Sequence, residues 1–398
     1  MILLAGVIKP ERAYAETRII PDITLAERYD TNVFLAPPQL LSSGQRRDDF
    51  VSTLAGGVKL HHKSRDVEAS VTGGVAGNAY VYNPNLNYLS TAAEADAKLD
   101  GWVGQLAKGA TLRISERFQY TPEPPSFLTG VKAPSDDPFS RGVQSFRANT
   151  FSSTTSANGS YPVFRGLSIQ GSYAFSFYRV GSILALTTTG ASFFDTNVHT
   201  WSAGPQLQLT PADSVSLSYQ QSLVSQSQTA TGVQLDFNTQ QVWANYKRVT
   251  PDWTAGISGG GTLIEPFSKV FATGTVYFLT APDRSTLIRL DLSRLAAPSL
   301  FFIAGPLISH VAQVELSYQL SKRLRVTGRA NYGVNETTDS VIKFENQTAS
   351  AVISYSLTRS LMADLSYSYS KFTTDQQTGL DFTVLRNVVA ISLTAQWK

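Results

Sequence analysis

Cysteine is absent from the 398 residues. No disulfide can staple the fold, and no thiolate can anchor haem or an iron–sulfur cluster. Long apolar runs are missing too: nothing approaches the roughly 20 consecutive apolar residues of a helical membrane span, which excludes a helical membrane protein. Charge is scarce, with charged residues at 16% and a formal net charge of +3, too little and too dispersed for a nucleic-acid-binding surface. Hydrophobic residues nonetheless reach 42%, scattered among Ser, Thr, Asn and Gln. That mixture suits a sheet that is wet on one face only.

The scatter is periodic. In the final segment Val389, Ile391, Leu393, Ala395 and Trp397 alternate with Ala390, Ser392, Thr394 and Gln396. Leu361, Ala363, Leu365, Tyr367 and Tyr369 face Asp364, Ser366, Ser368 and Ser370 in the same way. A period of two puts apolar side chains on one side of a strand and polar ones on the other. The pattern recurs from Asp22 to Trp397, punctuated by HKSRD, LAKGA, the Tyr161–Gly166 stretch, TPADS, VTPD, TAPDRS, LSKRL and LTRSL. Pro, Asp, Gly and Ser at these points supply turn geometry. Eight turns make eight hairpins, and one further strand at each end, Asp22–Asp30 and Thr383–Trp397, brings the count to 18.

Such a chain predicts an all-β fold, a transmembrane antiparallel up-and-down β-barrel of about 18 strands, with 16 as the fallback. Aromatics at strand ends, among them Tyr120, Tyr161, Trp201, Trp253 and Trp397, match interfacial girdles. A soluble propeller is disfavoured because no blade motif recurs. The longer connections, including Pro122–Arg141 and Gly181–Asp195, are assigned to the outside and the tight turns to the periplasm. MILLAGVIKPERAYA reads as a signal peptide cleaved after Ala15, leaving residues 16–398 as one barrel domain in a Gram-negative outer membrane.

Two motifs carry a resemblance. The opening YDTNVF (Tyr29, Asp30, Asn32, Val33, Phe34) and the following DDF (Asp48, Asp49, Phe50) resemble the start of a putative β-barrel porin family of outer-membrane proteins. The resemblance implies a pore, and for some relatives an association with exopolysaccharide export. The ending AQWK, an amphipathic strand with Trp397 before a last Lys398, resembles the signal read by the barrel-assembly machinery.

Any site lies in the lumen or the loops. Alternation places Glu94, Asp96, Asp100, Arg113, Arg117, Arg289, Asp291, Glu315, Arg325, Arg329 and Asp364 on the polar face as channel-lining charges. Glu94, Asp96 and Asp100 are expected to pair with Arg113 and Arg117, leaving Arg325 and Arg329 the less compensated set. Tyr80, Trp102, Tyr178, Trp243 and Tyr277 also fall on the polar face, where rings could stack on sugars. The four histidines, His61, His62, His199 and His310, lack the partners of a hydrolase triad or a zinc site. The acidic loop at Asp136 and Asp137 lacks EF-hand spacing. No enzyme activity, cofactor or metal is expected. The function expected is passage: a pore or export conduit for polar solutes, polysaccharide being the named candidate. The alternative is a non-conducting scaffold barrel that houses or anchors a partner such as a periplasmic export component or a cytochrome. Expected partners are outer-membrane lipid and lipopolysaccharide, the barrel-assembly machinery and a periplasmic export component, and no nucleic acid.

Overall fold

Alternating stretches become strands because a β-strand turns successive side chains to opposite faces, and here the strands close on one another. The computed structural model describes residues 15–397 apart from 42–43, 123–146, 184–193, 229–231, 284, 300–304, 339–341 and 377–380. The segment read as a signal peptide, apart from Ala15, and the acidic pair Asp136 and Asp137 therefore lie outside the described residues.

The first six strands are β1 (Glu16–Asp30), β2 (Asp49–Lys63), β3 (Glu68–Tyr80), β4 (Tyr88–Lys98), β5 (Thr111–Thr121) and β6 (Ala148–Phe164). The next six are β7 (Leu167–Ile183), β8 (Asp195–Gln208), β9 (Asp213–Gln228), β10 (Val233–Val249), β11 (Trp253–Glu265) and β12 (Lys269–Thr280). The last six are β13 (Thr286–Pro298), β14 (Pro306–Gln319), β15 (Leu324–Thr337), β16 (Ile342–Ser356), β17 (Leu361–Gln376) and β18 (Phe382–Gln396). Every strand pairs antiparallel with its chain neighbours, and β18 pairs back onto β1 from Asp22↔Gln396 to Asp30↔Val388, closing an 18-stranded sheet. Closure matters because an open edge in hydrocarbon would leave backbone N–H and C=O groups unbonded.

One connection departs from the expected tight turn. Between β4 and β5 a short helix, α1 (Asp100–Leu106), intervenes before the turn at Ala107–Ala110. Asp100 sits in its first turn, where a carboxylate suits the helix dipole, and its Oδ1 accepts from the Leu112 N–H at 3.0 Å. Gly109, at φ +80°, completes the turn in a conformation that L side chains rarely adopt.

The register divides the wall cleanly. Leu25, Leu54, Ile257, Leu292, Leu316, Ile353 and Ile391 are exposed and form an apolar outer belt. Tyr161, Tyr173, Tyr219, Tyr318, Tyr355 and Tyr367 share that outer face. The inner face carries cross-strand hydroxyl pairs instead, such as Thr24–Thr394 at 2.9 Å, Ser172–Ser202 at 2.6 Å and Thr200–Ser222 at 2.9 Å. Each such pair contributes about 0.2–1 kcal/mol. Among the described residues no helix is long and apolar enough to cross a membrane; the crossing is made by strands of 11 to 17 residues, against about 9–11 needed for a tilted span.

Candidate functional site: the lumen and its outer mouth

The inner wall changes character along its axis. In the periplasmic half, charged side chains stand open to solvent in pairs. Arg113 Nε lies 2.6 Å from Asp96 Oδ2, with the Arg113 side chain 58% exposed. Arg117 meets Glu94 at 3.3 Å and Lys98 meets Glu68 at 3.5 Å. The last two contacts follow from register, because Glu94 stands opposite Arg117 in the β4–β5 ladder and Glu68 opposite Lys98 in the β3–β4 ladder. On the far wall Arg289 Nε binds Asp291 two residues on, at 2.5 Å, and Arg329 binds Glu315 across β14–β15 at 3.3 Å. Arg325 donates to Gln319 Oε1 at 2.8 Å and makes no ion pair among the described residues. Asp364 accepts from Ser392 Oγ at 3.4 Å.

Two placements differ from expectation. Asp100 is not on the β4 wall but in α1, bound to the backbone of β5. Trp102 is also in α1 and 54% exposed, so it lines no channel. Both follow an apparent alternation that the helix interrupts. The expectation that Arg325 and Arg329 form one uncompensated set also fails for Arg329, because register brings Glu315 directly opposite it.

Toward the outer end the lumen is packed. The segment between β1 and β2 folds inward, burying Val33, Phe34 and Ala36 against Val51, Tyr80 and Leu86. Asn32 Nδ2 ties it down by donating to the carbonyls of Ala36 and Leu385 at 3.1 and 3.0 Å. Asp49 accepts the N–H groups of Val81, Tyr82 and Asn83 at 2.9–3.0 Å. Arg147, 1% exposed, donates to Tyr80 Oη at 2.6 Å and lies over the Tyr80 and Tyr88 rings. Across the mouth, Gln226 of β9 donates to Ser299 O and accepts from Gly305 N, at 2.5 and 2.6 Å, holding the β13–β14 connection. Tyr178, Val198, Val224, Phe237 and Ile264 pack beside that clamp.

The inward aromatics divide accordingly. Tyr80 and Tyr178 are buried in these clusters, and Trp243, also buried, donates to Gln241 Oε1 at 2.8 Å. Tyr277 is half-buried, its ring standing where a Cβ on the opposite Gly256 would sit. Of the histidines, His199 and His310 face outward, His199 within 2.9 Å of Tyr173 Oη.

Sequence reasoning passed over Arg147, Gln226 and Arg386, each buried at the mouth. Their partners lie far off in the chain, and only the two motifs at Tyr29–Phe34 and Asp48–Phe50 hinted at a constrained opening.

A family model described as putative beta-barrel porin 2 matches residues 281–397. No curated protein matches the chain in sequence. Among solved structures, the chain is similar to OccAB4 of Acinetobacter baumannii at 11% identity, covering 98% of this chain and 100% of that one, with a TM-score of 0.43. It is similar to OccK7 (OpdD) of Pseudomonas aeruginosa at 11% identity, over 96% and 98%, with a TM-score of 0.46. A mutant ferric enterobactin receptor (PfeA) from Pseudomonas aeruginosa aligns at 7% identity over 95% and 80%, with a TM-score of 0.47. A closed strand cylinder with an apolar belt, a polar interior and a porin-family match over residues 281–397 makes this chain a porin-like β-barrel of the outer membrane.

Proposed function

We propose that the barrel is a passive pore for polar solutes, without a catalytic step, whose selective constriction is its outer mouth. The observation that carries this reading is the axial gradient of the inner wall. Solvated ion pairs such as Arg113–Asp96 stand below, while the β1–β2 segment packed on Tyr80, with Ser299 and Gly305 bonded to Gln226, narrows the passage above. Hydroxyl and charge-paired walls offer a hydrated solute hydrogen bonds without a net field strong enough to trap it. A wide 18-stranded cylinder leaves an aqueous interior unless side chains or loops fill it.

Polysaccharide passage is the narrower version and draws on the family resemblance of the opening strand. Of Tyr80, Tyr178, Trp243 and Tyr277, only Tyr277 stays partly accessible, which favours small hydrated solutes over a stacked sugar chain. Planar-bilayer recording tests the proposal. Barrel that shows heat-modifiable migration should give discrete conductance steps, and a folded barrel that never conducts sinks it.

A further inference from the structure

The outer face carries a feature that a pore does not use. Along one register row Gly259 stands opposite Gly274, Gly274 opposite Arg294, and Arg294 opposite His310. The two glycines leave the belt without side chains at that point. The result is a groove of about 370 Å³ whose walls include Ile257, Val276, Leu292 and Tyr332. All four are exposed members of the outer belt, so the groove opens on the outer face. Arg294 and His310 line one end of it, and neither makes an ion pair or side-chain hydrogen bond among the described residues.

Cations on a lipid-facing wall are costly away from the interface. They are stabilised where anionic headgroups can reach them. β13 runs from the periplasmic turn outward, and Arg294 lies toward its outer end, between Leu292 and Ala296. Tyr332, two residues below the partner of His310 in β15, supplies an interfacial ring at the same level. Basic groups above an apolar groove match an anion joined to acyl chains.

We infer that this groove binds one phosphate-bearing acylated glycolipid of the outer leaflet, with Arg294 and His310 on the phosphate and an acyl chain over Gly274. The inference stands on the outer face alone and is independent of whether the lumen conducts. Lipid-free barrel in detergent, mixed with diphosphoryl lipid A and examined by native mass spectrometry, should retain one lipid. Dephosphorylated lipid A should bind about tenfold more weakly. The variant Arg294→Gln with His310→Gln should lose that preference, while Arg294→Lys keeps most of it. Ala312→Trp, which fills the groove, should weaken both lipids alike. Equal binding of the two lipid A forms, a double variant that behaves as the parent, or equal retention of phosphatidylglycerol would each overturn the assignment. Heat-modifiable migration certifies the fold of every variant, and the double glutamine variant decides the matter if Ala312→Trp does not fold.

Discussion

Arg386 of β18 grips Asp30 of β1 across the line where the cylinder closes. Its Nε lies 3.0 Å from each carboxylate oxygen and its Nη2 2.5 Å from Oδ2. The two side chains are 3% and 0% exposed. Removing one member of a buried pair strands the other charge, at a cost of about 3–5 kcal/mol. Asp30→Asn should therefore lower the temperature at which the folded band disappears from gels. Arg113→Gln, which breaks a solvated pair worth about 0–1 kcal/mol, should leave that temperature almost unchanged.

Ion preference should follow Arg325 more than the arginine four residues on. Arg325 has an amide partner, whereas Arg329 faces Glu315 at 3.3 Å. Neutralising Arg325 with Gln removes an unmatched positive charge and should move the reversal potential toward cations under a salt gradient. Replacing Arg329 and Glu315 together by Gln removes a matched pair and should leave it in place. An Arg325→Gln barrel with unaltered reversal potential would mean that its side chain does not face the conducting path.

The clamp at Gln226 offers a way to widen the mouth. Gln226→Ala removes both bonds to the β13–β14 connection, to Ser299 O and from Gly305 N. Losing two hydrogen bonds to buried backbone groups weakens the hold on Ser299 and Gly305, so these two anchors should loosen from β9. Single-channel conductance should rise, with more frequent transitions. Unchanged conductance would place the constriction elsewhere.

The periplasmic turn before β13 should respond to acid. Hydrogen bonds from Ser285 and Thr286 hold the Asp283 carboxyl below its ordinary value of 3.8. A depressed acid contributes stability that is present above its unfolded value and is lost as pH falls through the folded one. Protection of the Ser285 and Thr286 amides against exchange, measured relative to the intrinsic rate at each pH, should therefore hold at neutral pH and fall below pH 3.8. Asp283→Asn should flatten that dependence.

Most of the fold was legible because period-two alternation and turn residues are local signals. Seven of the eight punctuation points mark connections between strands to within two residues, whereas in the Tyr161–Gly166 stretch β6 continues to Phe164 and only Arg165 and Gly166 turn the chain. α1 escaped because Asp100 and Trp102 continue the phase of Lys98, and seven residues are too few to display a helical period. Strand β1 begins at Glu16, earlier than the expected Asp22, and Pro21 sits within the ladder opposite Val58. The mouth was least legible. Arg147 meets Tyr80, and Gln226 meets Ser299, through loop positions that no alternation encodes. Even so, the DDF motif proved structural, since Asp49 gathers three loop amides and Phe50 packs 5.0 Å from Tyr29.

Because β1 takes β18 as its second neighbour, the first strand of the sheet waits for the eighteenth. Until β18 arrives, a partly formed sheet carries two bare edges that hydrocarbon cannot satisfy. Insertion therefore cannot finish by stepwise addition of hairpins. A messenger truncated anywhere before Phe382 would yield a sheet with no way to complete its circumference, left for periplasmic proteases to clear.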